Sequence, residues 1–422
     1  VADTARGSYF IETLGCPKNQ VDSDKLEGTL IADGMTAAGS ADEADLIVVN
    51  TCAFIEEARE ESIHTILALD HGRADDAKLI VTGCMAERYG DELAEALPEA
   101  DAIAGFGVPV TIGSKPRSAD DGAPLLDLLH LPRPASKSPW AYVKIAEGCD
   151  RNCGFCAIPT FRGPQRSRTI EDICIEIDQL QAKEIVLVAQ DLAAFGRDQG
   201  KGERSIVPLV KAVSERADWV RLLYLYPSDL NDALIDAICE TGVPYFDLSL
   251  QHVSKPLMRR MRRWGNGEVF LERVAAIRQR EPDAAFRSNF IVGYPGETEE
   301  DHDALLEFVE QARLDWCGFF SYSLEDGTYA ADLDGEVDAG LVSERLGELR
   351  ELQDQITEEK RDEMIGRRVK VLVDEVGIAR SHREAPEIDG IIEVADDLEI
   401  GSFATVTIEN AAGPDLRAEG AQ

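Results

Sequence analysis

Short apolar runs alternate with longer stretches of helical periodicity through most of this chain. In the first hundred residues the runs are YFIETL, DLIVVN and KLIVT. Each is followed by a helix-like stretch: VDSDKLEGTLIADG, AFIEEAREESIHTILALD and MAERYGDELAEAL. Strand then helix, repeated, predicts a parallel sheet with helices on its faces. From about 140 to 355 the pattern recurs with six runs, AYVKIAEG, EIVLVAQD, VRLLYLYP, YFDLSLQH, FRSNFIVGYP and WCGFFSYS. Helical stretches such as IEDICIEIDQLQAK and EVFLERVAAIRQR lie between them. Six such units predict a partial (β/α)6 TIM-like barrel, open on one side. The helical segment VSERLGELRELQDQITEEKRDEMIG then leads away from it. Beyond 360 the period changes to two in RVKVLVDEV, DGIIEV and FATVTIENA, with Gly-bearing turns, which predicts a small antiparallel β-barrel. The fold class is therefore α/β in three parts: a parallel α/β domain over 7–112, a barrel over 140–355 and a small β-barrel over 360–422. Between the first two, 113–139 (SKPRSADDGAP, LPRPASKSP) reads as a linker or wrapped connection.

Composition narrows the setting. The chain has 422 residues, enough for two or three domains. Its 80 acidic residues outnumber 43 basic ones, for a formal charge of -37. Such a surface repels phosphate backbones and suits a basic partner, unless it is simply a solvated, salt-tolerant exterior. No stretch approaches the roughly 20 apolar residues of a membrane span, and VADTARGSYF holds no secretory-type apolar run. A cytoplasmic protein is expected, with no membrane partner; the first residue is not Met, so the start reads as trimmed.

Nine cysteines, an odd number, argue against a disulfide framework and for metal ligation or catalysis. Three fall within eight residues, in EGCDRNCGFC: Cys149, Cys153 and Cys156. Thiolates are the preferred ligands of iron–sulfur clusters, and three ligands on a four-iron cubane leave one iron open for chemistry. Gly148 and Gly154 let the loop wrap closely. The alternatives are a zinc site short of its fourth ligand, or three surface thiols. A second set, Cys16, Cys52 and Cys84, is scattered in sequence, but each closes one of the first three strands. Ligands of parallel sheets gather beyond the strands' carboxyl ends, so these thiols can meet at one edge. The alternative is that they pack as small apolar residues between strands. Cys174, Cys239 and Cys317 lie in apolar helix-like or strand-like runs and read as core.

The spacing C-x3-C-x2-C after the first barrel strand resembles the radical S-adenosylmethionine superfamily. GCPKNQVDS, NTCAFIEEA and GCMAERY resemble the N-terminal domain of the methylthiotransferase family within it, and APEIDG with GSFATVTI resembles the TRAM domain that ends those proteins. The resemblance runs from about residue 8 to the end, in order. It implies two 4Fe-4S clusters, one on Cys149, Cys153 and Cys156 with S-adenosyl-L-methionine, the other on Cys16, Cys52 and Cys84. It also implies radical removal of a hydrogen, insertion of sulfur and methylation by a second S-adenosylmethionine, with electron and sulfur donors as partners.

Two branches share that plan, one modifying a tRNA adenosine and the other the β-carbon of an aspartate in small-subunit ribosomal protein uS12. The words CPKNQVDS, LQHVS, AIPTFRGPQRSR, VAQD, FIVGYPGETEED and YSLEDGTYA resemble the second branch. From Lys360 to Gln422 eight Lys or Arg stand against fourteen Asp or Glu. That tail is ill suited to gripping tRNA phosphates, so uS12 is the expected partner and nucleic acid is not the main substrate. The tRNA enzyme is the runner-up, and an iron–sulfur carrier with an RNA-binding tail is a reading of another class. For the cofactor, Phe155 is expected beside the adenine, Gln190 at the substrate amino group, and Gln251 and Asn289 at the barrel mouth. Glu297 is expected to shape the same pocket, His252 to be structural, and MRRMRRWG to form a solvated basic helix face, the alternative being contact with a loop beside the cluster or with a partner.

Overall fold

The computed structural model describes residues 7–108, 110, 127–200 and 205–419, in two compact units. The first comprises residues up to 135 together with 157–164; the second comprises 136–156 and 165 onward. The greater part of the expected linker, 113–126, lies outside the described residues, as do 1–6 and 420–422.

In the first unit the three expected strands form as β1 (Ser8–Thr13), β3 (Leu46–Thr51) and β4 (Lys78–Gly83). Two short edge strands, β2 (Thr36–Ala37) and β5 (Ala102–Ala104), complete a parallel sheet in the order β2-β1-β3-β4-β5. The central strand, LIVVNT, is buried along its whole length because helices cover both faces. The helices are α1 (Pro17–Ala32), α2 (Glu56–Gly72) and α3 (Cys84–Ala96). Residues 127–135 pack on α1: Lys25 donates to the Leu129 carbonyl at 2.8 Å, and Arg133 pairs with Asp24 at 2.8 Å. The short helix α4 (Ile158–Arg162) also belongs to this unit.

In the second unit six parallel strands follow one another in space as in sequence. They are β6 (Trp140–Lys144), β7 (Glu184–Val188), β8 (Trp219–Leu222), β9 (Tyr245–Gln251), β10 (Ala285–Val292) and β11 (Trp316–Ser321). The ladder is continuous within β6–β8 and within β9–β11, and a single parallel bridge, Leu225 to Leu248, joins the halves. Helices α5 (Ile170–Leu180), α6 (Ile206–Ser214), α7 (Asp232–Cys239), α8 (Lys255–Arg260), α9 (Gly267–Arg280) and α10 (Glu299–Ala312) connect them. Helix α10 begins at the expected turn, with a reciprocal cap between Thr298 and Asp301. The next helix, α11 (Ala339–Asp362), does not lead away from the barrel. Its Leu346, Leu349, Gln353 and Ile356, at helical spacing, are buried and hold it along the barrel wall.

The tail forms a closed five-stranded barrel of β12 (Arg368–Glu375), β13 (Ile378–Arg380), β14 (Ile392–Glu393), β15 (Phe403–Ala412) and β16 (Asp415–Glu419). All its pairings are antiparallel except β14 with β16. Residues 381–389, between β13 and β14, reach the beginnings of the large-barrel strands. Pro386 O accepts from Tyr142 Oη at 2.9 Å, Arg383 O from Trp316 Nε1 at 2.7 Å, and Asp389 from Tyr245 Oη at 2.6 Å. Beside them the buried Glu184 bridges Arg221 at 2.7 Å and Arg380 at 2.9 Å. This polar seam closes the amino end of the large barrel and leaves its carboxyl end, where such barrels carry their chemistry.

Candidate functional site

The first three cysteines meet because of register. Thr13 pairs with Asn50 and Thr51 with Gly83, so the chain leaves β1, β3 and β4 at one level. Cys16 then caps α1, Cys52 follows β3, and Cys84 opens α3. Gly15 and Gly83 have φ of +96° and +92°. A Cβ on Gly15 would lie 2.8 Å from the Cys52 Cβ, and one on Gly83 would lie 2.6 Å from the Thr51 carbonyl. Only glycine permits both the turn and the approach.

Asn19, fully buried, ties these loops together. Its Nδ2 donates to Leu14 O at 2.8 Å and to Thr51 O at 3.1 Å, and its Oδ1 lies 3.5 Å from Cys84 Sγ. Arg162, from α4, donates to Cys84 Sγ at 2.9 Å and to Asn19 Oδ1 at 3.0 Å. Burial, with the neighbouring Cys16 and Cys84, pushes the Cys52 thiol up to about 12, and burial also raises Cys84. Cys16 is half-buried; burial raises it too, yet Lys18, Arg162 and nearby backbone N–H groups outweigh that and hold it below the usual thiol value. The thiols sense one another electrostatically, as ligands of one site do.

The second set lies in the loop after β6. Arg151 N donates to Cys149 Sγ at 3.4 Å, and Cys156 N to Cys153 O at 3.2 Å. The loop is fastened at Gly154, whose N donates to Met261 O at 2.8 Å and whose O accepts from Ala330 N at 2.8 Å. Burial pushes Cys149 up to about 11. Arg263 donates to Cys153 Sγ at 3.3 Å and also to the Ser249 carbonyl. Arg151 pairs with Asp191 at 2.5 Å and with Asp229, and its guanidinium lies 3.8 Å from the Tyr226 ring; that of Arg263 lies 4.3 Å from the same ring. MRRMRRWG is therefore not a plain solvated face: Met261 and Arg263 hold the cysteine loop, and Arg260 binds Pro295 O and Asp334.

The expected cofactor contacts fall in the same unit. Gln190 donates to Glu147 Oε1 at 2.8 Å, just before the cysteine loop, and Lys144 holds the other oxygen of Glu147 at 2.6 Å. Gln190 Oε1 and Asn289 Oδ1 are buried acceptors with no hydrogen-bond partner among the described residues. Gln251 ends β9 at φ +73° beside a register shift, a strained conformation of the kind found at binding sites. Phe155 is partly buried against the barrel core. Glu297 uses its oxygens on Gly293 N at 2.6 Å and Arg345 at 2.9 Å, so it braces the GYPGE turn against α11. His252 is fully buried and accepts from Ser254 N at 3.1 Å through Nδ1; burial lowers it to about 4. Cys174 is buried, and Cys239 and Cys317 pack against the barrel core.

Both thiol sets fit polynuclear iron–sulfur ligation. N–H groups aimed at Cys84 and Cys153 sulfurs suit thiolates better than neutral thiols. Two buried acceptors at the barrel mouth suit the ammonium donors of an amino acid such as S-adenosylmethionine. Sequence patterning missed Asn19, Arg151, Asp191, Asp229 and Arg162, although Arg151 stands inside the cysteine motif and Asn19 three residues after Cys16.

Comparison with known proteins agrees with this layout. Residues 8–105 match the model of uncharacterized protein family UPF0004, 143–309 that of the radical SAM superfamily, and 365–420 that of the TRAM domain. A curated relative from Kineococcus radiotolerans, ribosomal protein uS12 methylthiotransferase RimO, is 41% identical over 98% of this chain and 97% of its own. A protein of the same name from Moorella thermoacetica is 42% identical over 94% and 95%. Among solved structures, the radical S-adenosylmethionine methyltransferase TsrM from Kitasatospora setae aligns over 74% of both chains, with a TM-score of 0.50 and 14% identity. That likeness concerns the fold alone.

Proposed function

The chain belongs to the RimO family of radical S-adenosylmethionine methylthiotransferases, and we propose that it attaches a methylthio group to the β-carbon of an aspartate in ribosomal protein uS12. The observation that carries this reading is the near-complete alignment with uS12 methylthiotransferases of a chain that gathers two separate three-thiol sets. The acidic surface supports it, since a formal charge of -37 favours a basic partner over a phosphate backbone.

Cys149, Cys153 and Cys156 would hold one 4Fe-4S cluster and Cys16, Cys52 and Cys84 a second. With S-adenosylmethionine, a cluster on the first set would supply radical chemistry for hydrogen removal, and one on the second set would supply a place to hold sulfur. The chain's own residues set the stage. Arg151 and Arg263 fix the cysteine loop through Asp191, Asp229 and the Cys153 sulfur. Gln190, Gln251 and Asn289 would offer polar groups to the methionine end of the cofactor, and Phe155 would offer a ring to its adenine. The buried barrel wall around them excludes water from a reactive radical. The division into 7–112, 113–139, 140–355 and 360–422 is supported by the three family matches, which fall at 8–105, 143–309 and 365–420. Among the described residues no helix is long and apolar enough to cross a membrane. We place the enzyme in the cytoplasm, where uS12 is made and assembled, with a one-electron donor and a sulfur donor as further partners.

A deletion strain tests the substrate. Mass spectrometry should find uS12 lacking its methylthio group and tRNA unchanged. Intact uS12 with loss of a tRNA methylthio group would reverse the assignment.

A further inference from the structure

Arg162 stands at the end of α4, which packs within the unit that carries Cys16, Cys52 and Cys84. Its guanidinium is almost wholly buried. Nη2 donates at 2.9 Å to Cys84 Sγ and at 3.0 Å to Asn19 Oδ1, the residue that also ties the loops of Cys16 and Cys52. Nη1 stands 3.6 Å from the Asp22 carboxylate, and the guanidinium plane lies 4.6 Å from the centre of the Phe106 ring. The side chain is thus held from several sides and aimed at one ligand sulfur. Lys18 is buried nearby as well. Two buried cations are costly in an apolar site unless negative charge faces them. The Asp22 carboxylate supplies part of the negative charge that faces them, and thiolates at the ligand sulfurs would add to it.

We propose that Arg162 is a positioning residue of the N-terminal cluster: its N–H···S bond fixes the Cys84 ligand, and its charge raises the cluster's reduction potential. Reduction adds an electron to the iron–sulfur core. A donor and a positive charge on a ligand sulfur favour the more negative, reduced form, so the potential rises. The guanidinium is suited to this because one planar fork reaches both the sulfur and Asn19 from a fixed position, which a lysine ammonium does not do. The proposal rests on the assignment of Cys16, Cys52 and Cys84 as cluster ligands.

The test uses the full chain carrying Cys149→Ala, Cys153→Ala and Cys156→Ala, so that only the N-terminal cluster is present. Arg162→Gln, Arg162→Met and Arg162→Lys are added singly. Each reconstituted protein is titrated with dithionite and followed by electron paramagnetic resonance, with iron counted separately. The Gln and Met variants should titrate at lower potential than the parent, with altered g-values, and Lys should fall between. An unchanged potential and spectrum in a fully loaded Gln or Met variant would overturn the role of Arg162. If neither neutral variant loads iron, Lys decides: a lowered potential supports the role and an unchanged one overturns it. A parent that binds no iron would instead overturn the ligand assignment.

Discussion

Arg263 donates to the Cys153 sulfur across 3.3 Å, although the two residues lie 110 positions apart in the chain. The same guanidinium binds the Ser249 carbonyl at the end region of β9. One side chain thereby ties the cysteine loop to a barrel strand. Arg263→Ala should therefore weaken the cluster without unfolding the barrel. Loss of a group that orients a metal ligand typically costs about 10–100-fold in metal affinity or activity. The check is the rate of 5′-deoxyadenosine formation, together with iron retained after gel filtration, with circular dichroism unchanged.

Gly154 supplies a sharper steric test. A Cβ there would sit 2.8 Å from Tyr294 Oη and 3.1 Å from a Tyr329 ring carbon. Gly154→Ala should push the loop outward and slow deoxyadenosine formation by on the order of a hundredfold, the scale of a displacement of about 1 Å. Adding Tyr294→Phe removes the nearer atom and should recover much of the rate. A double variant as slow as the single one would contradict the contact.

The two thiol sets should separate by function. Cys149→Ala/Cys153→Ala/Cys156→Ala should lose about half its iron and form no deoxyadenosine. Cys16→Ala/Cys52→Ala/Cys84→Ala should lose a similar share, still form deoxyadenosine, and transfer no sulfur. Iron analysis and product quantification on the same preparations check both halves.

The seam at the amino end of the barrel predicts a pH signature. The Glu384 carboxylate is fully buried, yet held down to about 2: burial raises it, but Arg361 at 2.5 Å and Ser381 at 2.6 Å outweigh that. Its folded value lies below the ordinary 4.5, so its contribution is present above about pH 4.5 and is lost as pH falls towards 2. Asp389 runs the other way, raised to about 6 by burial, so stability it contributes is lost as pH rises through that value. Comparing the wild type with Glu384→Gln isolates the first effect. At pH 7 the variant should be less stable by about 3 kcal/mol, since it leaves Arg361 facing a neutral partner, and the difference should shrink below pH 4.5. Denaturant unfolding at a series of pH values measures it.

Much of this was legible because strand ends and thiols coincide. Residues 46–49 form an apolar run ending three residues before Cys52, and the Gly–Cys pairs at 15–16 and 83–84 mark turns that no other residue fits. The six barrel strands carry the same kind of signal. Thr36–Ala37 and Ala102–Ala104 are too short to show any periodicity. Nothing local announces that Arg151, Arg162 and Arg263 point at carboxylates and sulfurs, because a charged side chain reads as solvated until its distant partner is known. Helix α11 read as departing because its polar face is wide, while the few residues that bind it to the barrel form one narrow stripe along a long helix. The lone parallel pair in the small barrel depends on how β14 meets β16, which pattern does not reveal.

The central claim is tested most directly by incubating purified uS12 with the reconstituted enzyme, S-adenosylmethionine, a reductant and a sulfide source, then mapping uS12 by tandem mass spectrometry. One methylthio group on the β-carbon of a single aspartate, absent when Cys52→Ala enzyme is used, is the predicted result. Unmodified uS12 alongside methylthiolated adenosine, when tRNA is offered in the same mixture, would contradict it.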